Sequence, residues 1–218
     1  MSAFRSRIRA LSMSRSSTAC ALGLTLLLAG AAGAQGSPPP DNTGPLPTAE
    51  QQIAAAVLPL PKDMRADAKV MGYRTRDKLE TLRPGKNGMT CLALFVVRPD
   101  FHVACYHEGM EPFMARGRAL RASGVKGDQI DSVRFAEVKR GKLKMPKQAA
   151  LYSLTGKKES WDPATGVVTG ARQLAVMYMP FATAASTGLS VVPVPSGAWM
   201  MFPGTAKAHL MITGSMSP

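Results

Sequence analysis

The sequence predicts an α+β fold, a mainly antiparallel sheet with two or three helices packed on it. Three observations carry that expectation. Apolar segments of strand length run from residue 68 to 106 and again from 148 to 213, with two helix-patterned stretches between them. Strands, then helices, then strands is the chain order of an α+β domain. The 218 residues include 20 Gly and 17 Pro, which favours a turn-rich domain over a helix bundle. Hydrophobic residues make up 45% and charged residues 19%, a balance that supports a packed core and argues against wholesale disorder.

The chain opens with Arg5, Arg7, Arg9 and Arg15 and no acid, then the apolar run from Ala21 to Gly30, then Ala32-Gly33-Ala34. A charged region, a short apolar core and small residues at the cleavage position form an export signal, expected over residues 1–34 with cleavage before Gln35. The run is too short to anchor in a bilayer, and nothing after it approaches the roughly 18 apolar residues of a membrane span. Residues 35–47 are polar and proline-rich, and are expected to form an extended or disordered leader. A single domain follows over 48–218.

Thr48-x-x-Gln51 is a capping box, and the helix it opens is stopped by Pro59 and Pro61. Residues 68–74, 78–83, 90–97 and 101–106 read as four strands in a meander, with turns at 75–77, 84–88 and 98–100. Pro112 suits the first turn of a helix carrying Phe113, Gly117 and Leu120 on one stripe. Gly117 in mid-helix implies close approach by a neighbour, and Gly124 suits the helix end. Asp128 and Gly141 bracket a second helix with a weaker stripe, where a strand is the alternative. Strands are expected again at 148–154, 173–179, 198–202 and 208–213.

Two cysteines remain after the signal, Cys91 and Cys105. A hairpin folded about residue 98 pairs residues whose numbers sum to 196, which sets these two opposite each other. An exported chain with one facing pair is expected to form a disulfide.

Net charge is +13 for the whole chain and +9 once four arginines leave with the signal. The densest cluster is Lys139-Arg140-Gly-Lys142-Leu-Lys144-Met-Pro-Lys147. It reads first as a solvated helix end and loop, and second as an anion-binding patch. The expected partner is an anionic envelope surface, contacted weakly. No aromatic interleaving supports specific nucleic-acid binding, and the chain is not expected to be transmembrane.

Catalytic signals are sparse. There is no G-x-S-x-G elbow and no phosphate-binding glycine loop. His107-Glu108-Gly-Met-Glu111 lacks the second histidine of a zinc protease helix. His102, His107 and the two cysteines form a conceivable zinc set, but residues 102 and 105 point to opposite faces of a strand. Met177, Met179, Met200, Met201 and Met211 with His209 have copper(I)-like spacings, yet each lies in an apolar strand where methionine is an ordinary core filler. No resident metal or cofactor is expected. The strand–helix junction is the candidate pocket, with His102, Tyr106, His107, Glu108, Glu111 and Arg116 as its polar residues.

The stretch from Phe101 to Leu120, with Leu151-Tyr-Ser-Leu-Thr-Gly156 and Met201-Phe-Pro-Gly-Thr-Ala-Lys-Ala-His209, resembles an uncharacterised group of exported bacterial proteins. The resemblance covers roughly residues 50–213 and implies envelope export and a single domain; it brings no activity. The functional expectation is therefore an exported periplasmic or secreted binding or envelope-associated module. The alternatives are an enzyme using the junction at 102–116 and a copper-binding envelope protein.

Overall fold

Among the described residues eight strands form one mixed sheet in the order β2-β1-β3-β4-β5-β6-β8-β7. The structure is a computed structural model and describes residues 44–194 and 197–213. The expected signal segment and most of the leader therefore lie outside the described residues. The strands are β1 (Lys69–Thr75), β2 (Lys78–Arg83), β3 (Met89–Leu92), β4 (Phe101–His107), β5 (Ala149–Gly156), β6 (Arg172–Tyr178), β7 (Gly197–Met201) and β8 (His209–Thr213). Four α-helices accompany them among the described residues, not two or three: α1 (Ala49–Ala56), α2 (Glu111–Ala122), α3 (Gln129–Lys139) and the single turn α4 (Ala184–Thr187). No described helix is long and apolar enough to cross a membrane.

The capping box of α1 is complete: Gln51 N–H donates to Thr48 Oγ1 at 3.2 Å, and Thr48 N–H to Gln51 Oε1 at 2.9 Å. One turn later the buried Gln52 amide acts as an extra peptide unit. It accepts from Tyr73 N and donates to the carbonyls of Tyr73 and Pro47, each at 2.8 Å. This ties α1 to β1 where β1 bulges. A Cβ on Gly72 would sit 2.5 Å from Gln52 Oε1, so that glycine is what admits the contact.

Strands β1 to β4 do not form the expected meander. β1 pairs antiparallel with β2 but parallel with β3, and only β3/β4 is the predicted hairpin. The reason lies in side-chain character. β3 is buried at all four residues and needs a neighbour on each side, whereas β2 carries Lys78, Glu80 and Arg83 and tolerates the edge. β3 also stops at Leu92. A 3-10 turn over Leu94–Val96 replaces the expected continuation to 97 and carries Phe95 against Phe101, ring centroids 5.5 Å apart.

The hairpin register is the predicted one, with Cys91 opposite Cys105 and Leu92 opposite Ala104. The two cysteines form a disulfide with Cα atoms 3.9 Å apart. Both are fully buried on the face covered by α1, together with Ala56, Val70 and Val96. The opposite face carries Tyr106, Val176, Tyr178, Trp199 and Met211, packed against Met110 and Phe113. α2 and α3 cover this second face and end alike. Gly124 and Gly141 take positive φ, and the following residues, Val125 and Lys142, donate back to the carbonyls of Leu120 and Glu137. Asp128 occupies the N-cap position before α3, but its side chain makes no capping bond.

Candidate functional site

Tyr106, the last buried residue of β4, faces the start of α2 and is joined there by two charged side chains. Its hydroxyl donates to Glu111 Oε2; Arg118 Nη1 donates to the hydroxyl oxygen at 3.0 Å, and Arg118 Nη2 to Glu111 Oε1 at 2.5 Å. Burial, followed by the Glu111 carboxylate, pushes the Tyr106 phenol well above its usual range. Glu111 keeps helical backbone angles although Pro112 follows it, a combination that sterics disfavour; its carboxylate is held by partners on both sides.

The other expected site residues go elsewhere. Arg116 turns away from Glu111 and forms a two-oxygen pair with Glu137 of α3, with contacts of 2.6 to 3.0 Å. His107 is exposed, and its Nδ1 accepts from Gly109 N–H at 3.1 Å, capping the 3-10 turn over Glu108–Met110. Glu108 is exposed beside it. His102, at the far end of β4, meets Thr155 Oγ1 at 2.8 Å through Nδ1, and burial lowers its pKa. Among the six candidates Tyr106 and Glu111 are the pair joined by a side-chain hydrogen bond, and Arg118, not Arg116, completes their network.

A second network lies beside the first. Arg134 is buried, its guanidinium stacked 3.8 Å from the centre of the Phe113 ring, where Gly117 leaves it room. Asp131 accepts from Arg134 and from Lys207 Nζ, the latter at 2.9 Å. Burial favours the neutral Asp131 carboxyl, but the hydrogen bonds from Lys207 and Arg134 outweigh it and lower its pKa. Arg134 Nε is buried without a hydrogen-bond partner among the described residues. Arg134, Asp131 and Lys207 are thus engaged with one another and with Phe113.

The sheet divides the methionines with copper(I)-like spacings between its two faces, and it places Met201 directly opposite His209 on the face that also carries Met211. Met177 and Met200 both lie opposite Leu210, whereas Met211 lies opposite Val176 and Trp199 on the other face. His209 is buried, with Nδ1 2.7 Å from the Lys207 carbonyl, and burial lowers its pKa. The disulfide takes both cysteine sulfurs out of any zinc set.

A cavity of about 390 Å³ opens at the other end of β4, away from the junction. Phe95, Phe101 and Trp161 form its aromatic wall, with centroids 4.6 Å apart for Phe95 and Trp161 and 6.1 Å for Phe101 and Trp161. Gly44, Pro45, Leu46 and Pro47, the last residues of the expected leader, form the facing side. They are held there by Arg76, which donates to the carbonyls of Gly44 and Val96, and by Gln52. Gln51 reaches across to the Pro163 carbonyl at 2.9 Å. Arg76, Asp100 and Lys158 supply the charged lining. Arg98 binds both oxygens of Asp100, at 2.7 and 2.9 Å, and these hydrogen bonds lower the Asp100 pKa.

Sequence reasoning missed this cavity because its lining comes from four distant segments with no shared periodicity. The one available signal was the concentration of bulky rings around the turn at 98–100 and at Trp161-Asp-Pro163. No family model matches the chain, and no curated protein or solved structure matches it significantly.

Proposed function

We propose that this chain is an exported binding module that holds a small, largely apolar ligand in the cavity beside Trp161. The observation that carries this reading is the cavity's construction. A half-open space of about 390 Å³ is lined by three mutually packed aromatic rings and residues 44–47, with a few charged groups among them. Sites for small molecules have this size and this mixture of apolar wall and sparse polar groups. The junction at 102–116 supports a structural role instead, because Tyr106, Glu111 and Arg116 are each engaged by neighbouring side chains. Export rests on the amino-terminal pattern and on the resemblance to exported bacterial proteins, and the disulfide suits an oxidising compartment.

Titration with 1-anilinonaphthalene-8-sulfonate, an apolar aromatic anion, tests the cavity. Saturable binding of one probe per chain, with quenching of tryptophan emission, is expected for the folded protein. Trp161→Ala is expected to weaken it at least tenfold while Trp199→Phe leaves it unchanged. Equal binding by both variants would reject the cavity as the site. Amino-terminal sequencing of protein accumulated by expressing cells tests export; a chain beginning at Gln35 is expected.

A further inference from the structure

We infer that the segment from Lys139 to Lys147 is a docking face for the surface of an anionic phospholipid bilayer. This inference is independent of the cavity. Lys139, Arg140, Lys142, Lys144 and Lys147 are all exposed, and none of their side chains makes a hydrogen bond or ion pair among the described residues. Residues 139–148 contain no acid. The neighbouring carboxylate that feels Arg140 and Lys142, Glu137, is already bound through both oxygens by Arg116, so it does not neutralise the cluster.

The backbone that presents these cations is anchored where it leaves α3. Gly141, at φ 71°, lets Lys142 N–H reach back to the Glu137 carbonyl at 2.9 Å, which closes α3 and turns the chain outward. Leu143 and Met145 are half-buried in the core beneath α2 and α3, so they pin the segment from inside while the lysines between and after them stay in water. The result is a set of exposed cations on a segment that carries no exposed apolar side chain.

That chemistry fits a diffuse polyanionic surface better than a nucleic acid. Single-stranded nucleic acid is held by aromatic stacking as well as charge, and this segment has no aromatic residue. A bilayer needs only accessible cations within a Debye length of its headgroups. The face adjoins Gly109, just past the end of β4, because Pro146 packs there. The cavity lies at the Phe101 end of the same strand, roughly 20 Å away at strand rise, so docking leaves it clear.

The test uses protein purified in the form that cells accumulate and vesicles of phosphatidylcholine with or without phosphatidylglycerol. Co-sedimentation with the anionic vesicles is expected at about 50 mM NaCl and is expected to be lost at about 500 mM. The triple variant K142Q/K144Q/K147Q is expected to bind about a hundredfold more weakly, at roughly fivefold per cation. K142R/K144R/K147R is expected to bind as the natural protein does. Neither variant is expected to shift the thermal transition, since these side chains make no hydrogen bond or ion pair among the described residues. Equal binding to neutral and anionic vesicles, or undiminished binding by the glutamine variant, would overturn the inference. Tighter binding to a single-stranded oligonucleotide than to anionic vesicles at the same salt would overturn the choice of a membrane.

Discussion

The two faces of β4 solve the same burial problem in different ways. Phe101, Val103 and Cys105 point toward α1 and are 1%, 0% and 0% exposed. That face is dry and closed by a covalent cross-link. His102, Ala104 and Tyr106 point toward α2 and α3, where two tyrosines, two arginines, two carboxylates and Lys207 are partly or fully buried among apolar side chains. An apolar face loses stability in proportion to what is deleted. A face that buries charge depends on every partner being present and correctly protonated. The first can therefore accommodate a cavity without threatening the fold, and the second holds its charged groups in mutual pairs.

Deleting bulk from the dry face should have the largest effect. Phe101→Ala removes the most buried ring of the aromatic wall, and a loss of about 3–5 kcal/mol is expected from urea unfolding. Probe binding in the cavity should fall with it. If the loss were under about 1 kcal/mol, the α1 face would be less tightly packed than its burial implies.

Removing the cross-link comes next. Cys91 and Cys105 are 14 residues apart, so the double alanine variant should lose about 3 kcal/mol. Thiol titration of the unfolded, unreduced protein from Gln35 onward should find neither sulfur free.

The charged face is broken most economically at Asp131. Asp131→Asn leaves Arg134 buried with only the Phe113 carbonyl and ring for company, and a loss of about 2–3 kcal/mol is expected. The same carboxylate sets an acid limb. Its pKa is lower in the folded state, so its contribution is present above the unfolded value near 4 and is lost as pH falls through the folded one. In Asp131→Asn the acid limb of the stability profile should flatten. A profile identical to the natural protein's would remove Asp131 from the account.

The smallest effect should come from the two buried histidines. Burial lowers the pKa of His102 and of His209, so the unfolded chain takes up protons first. Stability should therefore begin to decline as pH drops below about 6.5. NMR titration of the ring protons should place both histidines below that value. Normal titration of His102 would mean that the Thr155 side of β4 is wetter than its packing suggests.

The elements written in local chemistry were legible. The α1 capping box, the glycine-closed ends of α2 and α3, the space at Gly117 and the register that joins Cys91 to Cys105 all depend on residues within a turn or hairpin of one another. Their spacing alone specifies them, because helix period, strand alternation and turn closure are short-range constraints. The parallel pairing of β1 with β3, the break in β3 at Ala93, the choice of Arg118 over Arg116 beside Glu111, and the cavity itself required the tertiary structure. Each depends on which distant surfaces meet: four buried residues of β3 demanding neighbours on both sides, Phe95 drawn toward Trp161, and residues 44–47 laid against a turn some fifty residues later. Such meetings are decided by burial and packing summed over the whole domain, and no local pattern records them.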